Sequence, residues 1–237
     1  LVWEVNLGGT ISGEIRGKRI TNLNEIPADD LQITTNSFGP QILPAVSGFG
    51  SHIDNFIVVY QDNSSYPSRI KAKLFDGSGN LPIAETTIAD PTSEIIAQNH
   101  SKPDISCFDN QGTYGCVVVM FAGAEIWSHR INVIFSPNPV IEIITPAKQV
   151  SRLPNPNMDD PVKVDCSQDG TRFAVAWVRF RNSETVYYRV FDFASGNPVF
   201  SAAGPERAVQ SAPRGQRTPE VAYLSDEKVC SMVSKRK

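Results

Sequence analysis

Few residues in this chain have types and spacings that could do chemistry. His52, His100 and His129 fall in a turn, a linker and a strand start, which marks them as structural rather than catalytic or metal-binding. There is no Gly-x-Ser-x-Gly elbow, no His-Glu-x-x-His and no Walker lysine loop. Gly48-Phe-Gly50 lacks the third glycine and the following helix of a dinucleotide loop. The acidic turns Asp76–Asn80 and Asp109–Gly112 offer oxygen ligands of the kind calcium takes, but neither has the alternating acids and closing Glu of a calcium loop. No catalytic residue, metal ligand or cofactor is expected, with calcium at these turns as the one ionic alternative.

The four cysteines are Cys107, Cys116, Cys166 and Cys230, without a Cys-x-x-Cys pair. Cys107 and Cys116 are symmetric about Gln111-Gly112, so a hairpin turning there would set them opposite each other at a separation a disulfide can bridge. The alternative is two buried free thiols. Cys166 and Cys230 fall in different strands and are expected to stay reduced. Asn63-Ser-Ser and Asn99-His-Ser are acceptor sequons for N-glycosylation. Trp127 and Tyr114 are the aromatics placed to stack on a sugar, although Trp127 is expected to have no aromatic counterpart in the other units.

The balance of charge removes whole classes of partner. With 22 basic and 25 acidic residues among 237, net charge −3 and no long like-charge run, nucleic acid and anionic membranes have no electrostatic footprint. No stretch approaches the ~18 apolar residues of a membrane helix; Cys116 to Ala122 has the length of a buried strand.

The elements that must position these residues form a repeat of about 57 residues. An alternating segment closing on an aromatic recurs as RIKAKLFD, HRINVIFS and TVYYRVFD, its Phe75, Phe135 and Phe191 lying 60 and 56 positions apart. Upstream of each is an apolar run: FIVVY ending at Tyr60, CVVVM ending at Met120 and FAVAW ending at Trp177. A polar turn precedes each run, and a short Pro-led strand precedes the turn, as in PAV at 44–46 and PDISCF at 103–108. No helical period competes with this pattern. Four short antiparallel strands per unit predict an all-β fold, a β-propeller or propeller fragment of four-stranded blades. The expected single domain, 1–237, divides into units of about 1–43 (partial), 44–102, 103–160, 161–218 and 219–237 (partial). The apolar second strand should be buried between blades and the alternating third strand should lie nearer an edge.

These units resemble the tandem propeller-like repeats of large secreted and surface proteins, in which a VVVW…ARLFD..GNP pattern recurs. The resemblance implies an extracellular or cell-surface structural or adhesive module, non-catalytic, whose partners are other subunits or further repeats of the same protein. Because both ends carry the same second strand, residues or a partner chain beyond this sequence are expected. Ser167–Phe173 resembles the Asp-box of sialidase propellers but lacks a residue on each side of its glycine, so an Asp-Gly hairpin turn is the simpler reading. A carbohydrate-binding propeller and a sialidase-like hydrolase are the alternative functions.

Overall fold

The computed structural model describes residues 1–6, 13–18, 30–34, 39–49, 54–77, 82–90, 99–135, 137–151, 161–180, 184–192, 201–202, 205–208, 219–223 and 229–233. Among them there is no helix, and every paired strand is antiparallel. The first sheet holds β1 (Val2–Asn6), β2 (Gly13–Gly17) and β3 (Leu31–Gln32). The second holds β4 (Gln41–Gly48), β5 (Phe56–Asp62), β6 (Arg69–Phe75) and β7 (Pro82–Ala89). The third holds β8 (His100–Asn110), β9 (Thr113–Ala122), β10 (Glu125–Ile134) and β11 (Val140–Gln149). The fourth runs β12 (Lys163–Cys166), β13 (Arg172–Phe180), β14 (Glu184–Asp192) and β15 (Ser201–Ala202), with β16 (Arg207–Ala208) also on β14. The fifth pairs β17 (Pro219–Tyr223) with β18 (Val229–Val233).

Consecutive sheets pack face to face, which explains why the apolar runs show no alternation. In β9, Val118 and Met120 enter the core shared with the second sheet, while Val117, Val119 and Phe121 enter the core shared with the fourth. In β5, Ile57 and Val59 face the third sheet and Val58 and Tyr60 face the first. A strand buried on both sides needs apolar residues at every position. Desolvation here pushes the Tyr60 phenol far above its usual range, helped by Glu85 and Asp62.

The Pro-led strands start earlier than the sequence suggests. β4 and β8 each begin three residues before their proline, and the register skips between Ile42 and Ala45 and between Ser101 and Asp104. Leu43 and Lys102, just before Pro44 and Pro103, take left-handed φ values of 54° and 49°. A proline has no N–H to give to the ladder, so a bulge accommodates it without an orphaned bond.

The third strands also differ from expectation. β6 lies between β5 and β7 rather than near an edge, and Lys73 within it is 5% exposed. Lys73, His129 and Arg189 occupy the same rung, opposite Val58, Val118 and Val175, and all three are buried. For Lys73 and Arg189 the charge is met locally: Lys73 Nζ pairs with Glu85 at 3.1 Å, and an Arg189 Nη1 proton is donated to the Val150 carbonyl at 3.0 Å. A buried base keeps its proton only with such partners.

Candidate functional site

The first strands β4, β8, β12 and β17 are edge strands, and successive ones lie against each other. A strand edge presents unpaired N–H groups. Here side chains of the preceding sheet accept them. Cys107 N donates to Ser47 Oγ at 3.0 Å, Val164 N to Asp104 Oδ2 at 2.9 Å and Cys166 N to Ser106 Oγ at 3.0 Å, each acceptor 60 positions before its donor. Ser106 Oγ in turn donates to Asp165 Oδ1 at 2.9 Å. The joints between sheets therefore repeat with the sequence.

Asp104 is the electrostatic centre of this row. Desolvation raises its carboxyl to about 6, against the pull of Lys163 and the Val164 N–H, and Glu220 on β17 adds to the rise. Lys163 Nζ stands 3.5 Å from Asp104 Oδ1. A glycosidase in this position would need two carboxylates free to act on one bond, within ~10 Å. Asp104 and Asp165 are instead held by Lys163, Val164 and Ser106.

At one end of the third sheet, Asn110 pairs with Thr113 around a two-residue turn in which Gln111 and Gly112 have φ of 49° and 88°. Two positive φ angles are what a tight hairpin of matching twist requires. This turn sets Cys107 opposite Cys116, and they are joined as a disulfide. Closing a loop this short contributes about 2–3 kcal/mol in the chain-entropy account. Such a bond is kept in oxidising compartments, extracellular or periplasmic. Cys166 is a free buried thiol whose desolvation pushes it up to about 12, so it is inert as a nucleophile. The side chain of Cys230 lies outside the described residues.

The other sequence candidates are separated. Asn63 accepts a bond from Gln61 Nε2 through Oδ1 at 2.9 Å, and the exposed Asn99 accepts from Ser68 N at 3.2 Å. Both asparagines sit at the β5–β6 turn end of the second and third sheets. Tyr114 packs edge-on to Phe49 and Phe135, with centroids 6.0 and 5.0 Å away. Trp127 donates Nε1–H to Glu125 Oε2 at 3.1 Å. Trp127 pairs with Met120, six residues along β9 from Tyr114, about 20 Å at strand rise, so these aromatics do not form one sugar platform. Trp127 does have an aromatic counterpart: Tyr187 pairs with Trp177 as Trp127 pairs with Met120. The constant spacing hid it because the connections before β10 and β14 differ in length.

Turn chemistry accounts for the acidic motifs at Asp109 and Asp169. Asp109 Oδ1 accepts Gly112 N at 3.0 Å, while residues 78–80 of the Asp76–Asn80 turn lie outside the described residues. Asp169 accepts Thr171 N at 3.0 Å and Thr171 Oγ1 at 2.8 Å. Against slight desolvation, hydrogen bonds from Ser167 and Thr171 hold its carboxyl below the usual range. His52 is outside the described residues; His100 and His129 are each 1% exposed, on β8 and β10. Among the described residues no group of three His, Cys, Asp or Glu is placed to hold a metal, and no helix is long and apolar enough to cross a membrane.

No protein-family model matches the chain, and no curated protein matches it. Among solved structures it is similar to TolB from Acinetobacter baumannii, a β-propeller-containing protein, at 10% identity and a TM-score of 0.50. The likeness covers 99% of this chain and 49% of that one, so the chain spans about half the length of its neighbour. At this identity the shared property is the fold: all-β, in successive antiparallel sheets.

Proposed function

We propose that this chain is a propeller-like, non-catalytic interaction module of an extracellular or surface protein, each sheet being one blade. Its single domain, 1–237, is read as units of about 1–43, 44–102, 103–160, 161–218 and 219–237. Partners are other subunits or further repeats of the same protein. The observation that carries the reading is the repeated joint: at two successive steps the first strand of one sheet is held by side chains 60 positions earlier. A unit that rebuilds its own coupling to the next is the device of a repeat scaffold, and here it consumes carboxylates that an enzyme would keep free. The disulfide and the two sequons support an oxidising, secretory setting. The resemblance to tandem repeats of secreted and surface proteins agrees with it.

Native mass determination on source material, before and after glycosidase, tests the proposal. The expected result is a mass well above the 26.0 kDa of the bare chain, with glycan released from Asn63 and Asn99. A bare monomer of that mass would contradict it.

A further inference from the structure

We infer that the open edge of the first sheet is a strand-accepting surface whose occupant is the first strand of a further repeat of the same protein. The inference rests on the scaffold reading and names where the next unit docks. The second strands β5, β9 and β13 each lie between a first and a third strand. Their counterpart is β1, whose Trp3 stands 57 positions before Tyr60. It has β2 on one side and, among the described residues, no strand on the other. One step beyond the Val2–Gly17 pair, Leu1 and Lys18 exchange both backbone hydrogen bonds, at 2.9 and 2.8 Å. Bonding direction alternates along an antiparallel ladder, so Trp3 and Val5 bond to β2 while Val2 and Glu4 aim their N–H and C=O groups at the open edge. Such an edge is a template for an added strand.

The second sheet indicates which kind of strand belongs there. Val46, Ile105 and Val164 hold one position of the first strand, opposite Val58, Val118 and Val175. β8 and β12 each lie against the preceding first strand, and there Ile105 and Val164 are each 6% exposed. Val46 is 40% exposed. The backbone repeats the contrast. Cys107 and Cys166 give their N–H groups to serines of the preceding first strand. Gly48 holds the same position, opposite Phe56, and no first strand precedes it among the described residues. One element answers all three observations: a first strand that pairs with β1, covers Val46 and offers an acceptor to Gly48. The chain's own β17 is not that strand, because it is paired with β18 along its whole length.

The test uses the isotope-labelled recombinant chain and a synthetic peptide of residues 217–224, RTPEVAYL, which carries the first-strand pattern. In the chain alone, fast amide exchange at Val2 and Glu4, slow exchange at Trp3 and Val5, and a monomer on sizing are expected. Peptide at ten times its dissociation constant should slow exchange at Val2 and Glu4 about tenfold. Glu220 follows Pro219 as Asp104 follows Pro103, and would fall opposite Val2 as Asp104 falls opposite Val119. Peptide N-methylated at Glu220 should therefore have no effect. Val46→Asp should weaken the peptide about tenfold, with the unfolding temperature showing that the variant is folded. Slow exchange at Val2 and Glu4 in the chain alone would overturn the inference, as would self-association that protects them or indifference to millimolar peptide. The source material can still be large and glycosylated in each of these cases, so the scaffold reading and this inference fail separately.

Discussion

Replacing Gly170 with alanine should lower the free energy of unfolding by about 3 kcal/mol, whereas the same change at Gly112 should cost about 1 kcal/mol. Both glycines hold positive φ, 64° and 88°, so both substitutions bear the penalty of a side chain in left-handed backbone. Their surroundings differ. A Cβ on Gly112 would meet nothing within 4 Å, but one on Gly170 would fall on the Phe108 ring. That ring also covers Gly115 of its own sheet, where a Cβ would lie 2.5 Å from Cζ. Phe108 is thus wedged between its own hairpin and the turn of the next sheet, 3% exposed. Urea denaturation of both variants measures the contrast, and equal losses would mean that the wedge contributes nothing. The glycine of the Asp-Gly turn at 169–170 is explained by packing between sheets as well as by turn geometry.

A pH dependence of similar size should follow Asp104. Its folded carboxyl is raised to about 6, against an ordinary value of about 4 in the unfolded chain. The folded state therefore binds the proton more tightly. The stability from this group is complete below about pH 4 and is lost as pH rises through about 6, amounting to about 3 kcal/mol at neutrality. Asp104→Asn keeps an oxygen for the Val164 N–H and removes the titration. The difference in unfolding free energy between wild type and variant should shift by about 2 kcal/mol from pH 4.5 to 7.5, in favour of the variant at the higher pH. A difference that stays constant across that range would show that the joint does not hold a strained charge.

What was legible in the sequence follows from locality. The second strands were readable because burial on both faces leaves an uninterrupted apolar run, as in Cys116 to Ala122. The Cys107–Cys116 pairing was readable because hairpin symmetry is a local count. The bulges at Leu43 and Lys102 were not, since a proline signals that a ladder bond is absent without showing where the strand begins. Nor were the burial of Lys73 and Arg189 or the bonds from Cys107, Val164 and Cys166 to the preceding sheet. Each depends on how one sheet registers against another, which no window of neighbouring residues contains.

The sheets are joined through their first strands. The most direct measurement is amide hydrogen exchange at Cys107, Val164 and Cys166, resolved by NMR, in wild type and in Ser47→Ala, Asp104→Ala and Ser106→Ala. Slow exchange at all three amides is predicted, with each substitution accelerating the amide 60 positions downstream. Fast exchange at these amides in the wild-type protein, while β5 and β9 stay protected, would contradict it.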